Sequence, residues 1–130
     1  MPFNKIFSWI IKKRVHQIEL FKSYPLDVQR DVFEELILRA GKTEFGSKHQ
    51  FSKISDFNRF KNEVPLQTYK DIKPYVNRLK EGEQNLLWPN EIKWFAQSSG
   101  TSTGKSKLIP VSKESLEGCH YKGGKDLLGM

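Results

Sequence analysis

The side chains best placed to do chemistry lie together in one short stretch, Ser98-Ser99-Gly100-Thr101-Ser102-Thr103-Gly104-Lys105-Ser106-Lys107. Small residues let backbone N–H groups turn toward a common centre, hydroxyls add donors, and ammonium groups add charge; together they suit a polyphosphate. Gly100 and Gly104 permit positive φ, so the chain can fold tightly around an anion. The apolar run Ile92 to Ala96 precedes the stretch and Leu108 to Val111 follows it, which reads as strand, loop, strand.

Three readings fit these residues. The loop is a Ser/Gly-rich hairpin connection with no ligand, an anion cradle between two strands, or a nucleotide-binding P-loop. The P-loop pattern needs glycine where Ser99 stands, and it must open a helix whose N-terminus faces the phosphates. Leu108-Ile109-Pro110-Val111 instead carries β-branched residues and a proline, which a helix interior rejects and an edge strand accepts.

The remainder of the chain must hold this hairpin. Phe3, Ile6, Phe7, Ile10, Ile11, Val15 and Ile18 recur at helical spacing among Lys5, Lys12, Lys13 and Arg14, giving a basic amphipathic helix that packs on its own protein; resting on a membrane or carrying a transit signal is the alternative. A second helix is expected over Leu26 to Arg39, with Val28, Val32, Phe33, Leu36 and Ile37 as its apolar stripe and Gly41 as its stop. Lys42 to Phe51 reads as a loop with aromatic anchors, and His49 in it has no visible nucleophile or orienting acid, so it is a packing residue. Ser55 can cap a short helix from Asp56 to Asn62 with Phe57 and Phe60 inward. Thr68 and Asp71 form a capping box for Tyr69 to Lys80, which Gly82 stops. Trp88 and Trp94 read as core anchors, and Ser112 can cap a helical stretch from Lys113.

Composition narrows the function classes. The net charge of +7, from 22 Lys and Arg against 15 Asp and Glu, is spread along the chain and accompanies no nucleic-acid module, so a solvated basic surface is expected and no nucleic-acid partner. No run approaches the roughly 18 apolar residues of a membrane span, and no stable membrane insertion is expected. Cys119 is the single cysteine, which fits a reducing, cytoplasmic setting. His16, His49 and His120 stand at no metal-ligand spacing, and no metal site is assigned.

The spelling Ser-Ser-Gly-Thr-Ser-x-Gly-x-x-Lys over Ser98 to Lys107 resembles the first ATP-binding signature of the adenylate-forming enzymes, in the form used by the auxin-responsive Gretchen Hagen family of acyl-acid amido synthetases. Val64-Pro65-Leu66, Tyr69, Asp71, Lys73-Pro74-Tyr75 and Gly82-Glu83 resemble the stretch upstream of that signature in the same family. The likeness runs from about Gly41 to Ser112. Thr103, and the pair Lys105-Ser106, depart from the usual spelling of the plant members.

The resemblance implies an α/β parent fold of which this chain is an incomplete N-terminal portion: helical over 1–82, strand-loop-strand over 91–111 carrying the phosphate loop, and a tail over 112–130. It implies condensation of a carboxylic acid with ATP and Mg2+ to an acyl-adenylate, followed by transfer to an amine, typically of an amino acid. The nucleotide would be held by Ser98, Ser99, Gly100, Thr101, Ser102, Thr103, Gly104, Lys105 and Lys107, with Lys107 matching the lysine that closes the signature. No single catalytic side chain is assigned. The adenine, ribose and acyl sites of such an enzyme belong to the remainder of a longer chain, and the 130-residue piece is expected to be inactive alone. A non-catalytic basic anion-binding or interaction module is the competing reading, beside the P-loop protein.

Overall fold

A computed structural model describes residues 2–100 and 106–129. Helices occupy Pro2–Ser23 (α1), Pro25–Ala40 (α2), Glu44–Lys48 (α3), Phe57–Glu63 (α4) and Tyr69–Lys80 (α5), with a 3-10 turn at Phe51–Lys53. Strands Ile92–Gln97 (β1) and Leu108–Ser112 (β2) come next, and the chain continues through Lys113–Ser115 (α6), a π-helical turn at Leu116–His120, and Tyr121–Gly129 (α7). The described residues are therefore mostly helical with one antiparallel hairpin, as the sequence predicts. They fall into two compact units, Met1–Val32 with Glu114–Met130, and Phe33–Lys113.

In the first unit α1 packs against α7. Arg14 joins them through a forked pair with Asp126: Nη2 donates to Oδ2 at 2.8 Å and Nε to Oδ1, while the guanidinium also lies 5.5 Å from the Phe21 ring centre. Both charged groups are shielded, and the hydrogen bonds from Arg14 hold the Asp126 carboxyl below its ordinary pKa. Pro25 suits the first turn of α2 because it lacks only an N–H that has no partner in that turn, and the helical bonds Tyr24 N–H to Leu20 O (2.8 Å) and Val28 N–H to Tyr24 O (3.1 Å) run past the joint. Among the described residues no helix is long and apolar enough to cross a membrane.

The second unit holds two apolar clusters, Tyr75, Leu79, Leu86 and Ile92 in one and Ile37, Ala40 and Phe51 in the other; Phe45 and Trp88 pack against both. Fully burying side chains such as Val76, Leu79 and Leu86 contributes about 1.5–3 kcal/mol each. Only the edge of α2 carrying Phe33, Ile37 and Ala40, spaced i, i+4, i+7, meets this core. Val32 and Leu36, expected in the stripe, stay exposed because they lie beside that edge rather than on it.

Local polar chemistry sets where the elements begin. Asp56, one residue beyond the expected Ser55, is the cap of α4: its carboxylate accepts from Arg59 N–H at 2.9 Å and from Ser55 Oγ at 2.8 Å. Thr43, fully buried, opens α3 by accepting from Gly46 N–H at 3.0 Å and donating through Oγ1 to the Ala40 carbonyl at 2.7 Å. The chain after α5 returns beside α3, where Glu44 N–H donates to Asn85 O at 3.0 Å and Phe45 N–H to Leu86 O at 2.9 Å. Arg78 ties the same return together, donating to Glu44 Oε1 at 2.8 Å and to Glu83 Oε2 at 2.7 Å.

His49 packs its ring on Phe45 with centroids 4.4 Å apart, and its Nε2 is buried with no hydrogen-bond partner among the described residues. Burial and the Lys48 ammonium lower its pKa, against a raising hydrogen bond to the Glu63 backbone. Hydrogen bonds from Arg78 likewise lower the pKa of Glu44 and Glu83. In each case the unfolded chain binds the proton more readily, so the stability contributed is complete above the unfolded pKa and is lost as pH falls through the folded one. The unfolding midpoint is therefore expected to fall in two stages on acidification, from His49 below pH 6.5 and from the two glutamates below pH 4.5. A titration of the His49 ring followed by NMR that gave a midpoint at or above 6.5 would contradict the first stage.

Candidate functional site

The neck of the hairpin is fixed by the pairing of its two strands and by side chains that meet their outer edges. In an unbroken strand Ile92 and Phe95 would face opposite sides, since side chains alternate. The register slips between Ile92 and Trp94, a bulge at Lys93 that resets the alternation and lets Ile92 and Phe95 meet the same core. Trp94 is turned to the other face and stands 46% exposed, so it is not the core anchor that its type implies; Trp88 is.

Beyond the bulge the register runs Phe95 with Pro110, Ala96 with Ile109 and Gln97 with Leu108. The outer edges of both strands are met by side chains. At the start of β1 the Gln84 amide pairs with the Ile92 backbone, accepting from N–H at 2.9 Å and donating to O at 3.3 Å. At the start of β2 the Tyr69 hydroxyl accepts from Leu108 N–H at 3.1 Å and donates to Leu108 O at 3.2 Å. Leu108 thus directs its backbone groups away from β1. Pro110, two residues on, turns the same way, so its missing N–H falls on the outer edge and costs the hairpin no bond.

The loop leaves β1 at Ser98 and enters β2 after Lys107. Ser98 N–H donates to Lys107 O at 2.9 Å, and Lys107 N–H donates to the Ser98 hydroxyl at 3.0 Å. Gln97 Nε2 donates to Ser106 Oγ at 2.9 Å beside this closure. Gly100 has φ +74°, a left-handed conformation that glycine adopts without steric cost. The Lys107 ammonium lies 5.5 Å from the centre of the Tyr69 ring, and among the described residues it has no carboxylate partner.

Of the residues singled out from sequence, Ser98 and Lys107 are therefore brought together at the neck, and Ser99 and Gly100 follow Ser98 in the chain. Thr101, Ser102, Thr103, Gly104 and Lys105 lie outside the described residues. The chain leaves the loop as a strand, and this rules out the P-loop reading, which requires a helix at that point. Among the described residues no three His, Cys, Asp or Glu side chains are grouped to hold a metal ion.

Sequence reading places Tyr69 in the scaffold and misses its hold on the loop. The signal lies in its position: Thr68 N–H and Oγ1 both donate to Asp71 Oδ2, at 2.7 and 2.6 Å, and this capping box makes Tyr69 the first residue of α5. Those hydrogen bonds also hold Asp71 below its ordinary pKa, keeping the cap ionised.

A helical scaffold presenting a single hairpin in this way is the fold of the N-terminal part of an adenylate-forming amido synthetase. The solved structure of GH3.15 acyl acid amido synthetase matches it with a TM-score of 0.78 and 30% sequence identity, over 88% of this chain and 20% of that one. Residues 14–128 match the model of the GH3 family N-terminal domain, and the chain belongs to the GH3 family. It is 37% identical over 107 residues to indole-3-acetic acid-amido synthetase GH3.5 of Arabidopsis thaliana, covering 82% of this chain and 18% of that protein. It is 28% identical over 104 residues to jasmonoyl–L-amino acid synthetase JAR4 of Nicotiana attenuata, covering 79% of this chain and 18% of the relative. The chain thus spans under one fifth of the length of these two curated relatives.

Proposed function

We propose that the chain supplies the polyphosphate-holding loop of an ATP-dependent acyl-acid amido synthetase. The observation that carries the reading is the closed neck at Ser98 and Lys107, where the Lys107 ammonium has no carboxylate partner among the described residues, at the end of a sequence rich in hydroxyls and glycine. In the proposed reaction a carboxylate oxygen of the acid bonds to the α-phosphorus of ATP, and the bond from that phosphorus to the bridging oxygen breaks. Pyrophosphate leaves with the electron pair. An amine nitrogen then attacks the acyl carbonyl, loses its proton, and AMP departs, giving an amide.

The task of the loop is electrostatic. Negative charge grows on the departing pyrophosphate, and donors already aimed at it stabilise that charge without having to reorganise. Ser98, Ser99, Thr101, Ser102 and Thr103 contribute hydroxyls, Gly100 and Gly104 allow close approach of backbone N–H groups, and Lys107 or Lys105 contributes the cation. Magnesium, as the partner of the nucleotide, would neutralise further phosphate charge.

The two relatives named above are, by name, an indole-3-acetic acid-amido and a jasmonoyl–L-amino acid synthetase, so an organic acid and an amino acid are the substrate classes proposed for the whole protein. The test is a chimera in which residues 14–128 replace the matching segment of indole-3-acetic acid-amido synthetase GH3.5. Labelled pyrophosphate is expected to exchange into ATP only when indole-3-acetic acid is supplied. A folded chimera that exchanges no label defeats the proposal.

A further inference from the structure

We infer that Tyr69 is the positioning residue of Lys107, and that the loop's affinity for polyphosphate depends on Tyr69 through that lysine. The inference rests on the phosphate reading of the loop given above. Two contacts converge. The hydroxyl holds both backbone groups of Leu108, at 3.1 and 3.2 Å, and so fixes the main chain immediately after Lys107. The ring of the same side chain takes the Lys107 ammonium at 5.5 Å.

Each contact has a separate physical consequence. Lysine carries about 2 kcal/mol of rotamer entropy, and a lysine swinging freely from a loose strand must lose it on meeting an anion. A fixed Cα and an aromatic rest for the ammonium remove part of that loss beforehand, the general benefit of preorganisation. The aromatic contact itself is weak enough to be exchanged for a phosphate: a cation on an aromatic face at an accessible site contributes less than a charge-assisted hydrogen bond. Tyr69 can therefore hold the ammonium ready without competing for it. Its own placement is secured by the Thr68 and Asp71 capping box and by the helix that Tyr75, Val76 and Leu79 bury in the core.

The experiment measures the dissociation constant of inorganic tripolyphosphate for the full chain by calorimetry, with the thermal midpoint of every variant recorded. Tyr69→Phe keeps the ring and removes the hydroxyl; affinity is expected to fall about fivefold, the size of one to two net hydrogen bonds. Tyr69→Leu removes both contacts, and a fall of about 10- to 30-fold is expected. In a Lys107→Ala background Tyr69→Leu should change affinity less than about twofold, the non-additivity of residues acting through one another. Equal losses in both backgrounds would mean that Tyr69 is scaffold only, and would overturn the inference. Wild-type affinity in Tyr69→Phe, with weakened affinity in Lys107→Ala, would overturn it too while leaving the phosphate reading intact. Failure of the folded wild-type chain to bind tripolyphosphate would remove that reading and this one together. Should Tyr69→Leu not fold, Tyr69→Phe, whose ring still fills the space, carries the same comparison in the two backgrounds.

Discussion

Replacing Lys107 with alanine in the chimera is expected to slow acid-dependent pyrophosphate exchange by about 10²- to 10³-fold, the range found when one preorganised charge-stabilising donor is removed. The charge at issue is large and local. Opposite unit charges 4 Å apart are worth about 4 kcal/mol at the effective dielectric of a protein surface, so a single half-shielded ammonium is enough to account for a loss of this size. The fold is not expected to suffer. Lys107 makes its strand bond to Ser98 through the backbone N–H, which alanine keeps, and alanine gives up only the resting place of the ammonium on the Tyr69 ring, worth about 0.5–1 kcal/mol. Exchange and thermal midpoint measured on the same preparation separate the two effects. Lys105→Ala is expected to be milder, because Lys107 sits on the clamped strand end. If Lys105→Ala were the more damaging and Lys107→Ala left exchange unchanged, the assignment of the cation would be wrong.

The features of this site that can be seen in the sequence are those decided by neighbours along the chain. Thr68 and Asp71, three residues apart, announce the start of α5, and Gly82 at φ +96° ends it, because capping is settled within one helical turn. The strand, loop and strand around Ser98 to Lys107 are legible for the same reason, since apolar runs and small residues mark them locally. What holds the loop is not local. Tyr69 grips Leu108 from 39 residues away, a pairing that no period or motif encodes. The bulge at Lys93 is hidden because Ile92, Trp94 and Phe95 are all apolar and offer no alternation to read, so only the packed core decides which of them turn inward. The cap of α4 shows the limit at short range: Ser55 and Asp56 are both good caps, and the choice falls on Asp56, whose carboxylate can take Arg59 N–H and the Ser55 hydroxyl together.

Substituting Gly46 with alanine is expected to destabilise the second unit by about 3–5 kcal/mol, the combined cost of overpacking and of a broken helix cap. A Cβ at this position would lie 2.0 Å from the Ala40 carbonyl oxygen and 2.9 Å from its carbonyl carbon, and both are backbone atoms that no side-chain rotation can move aside. That carbonyl also receives Thr43 Oγ1 at 2.7 Å and Thr43 N–H at 3.0 Å, so pushing it away breaks the polar anchor of a fully buried threonine. Pushing α3 outward instead displaces Phe45, which packs against both apolar clusters. Neither escape is cheap. Gly123 in α7 makes the control, because a Cβ there meets nothing within 4 Å. The same change at Gly123 is expected to stabilise by about 0.5–1 kcal/mol, since alanine loses less backbone entropy in a helix than glycine. Urea unfolding of both variants should therefore move the midpoint in opposite directions, and a Gly46→Ala chain as stable as wild type would show that α3 does not sit this close to the end of α2.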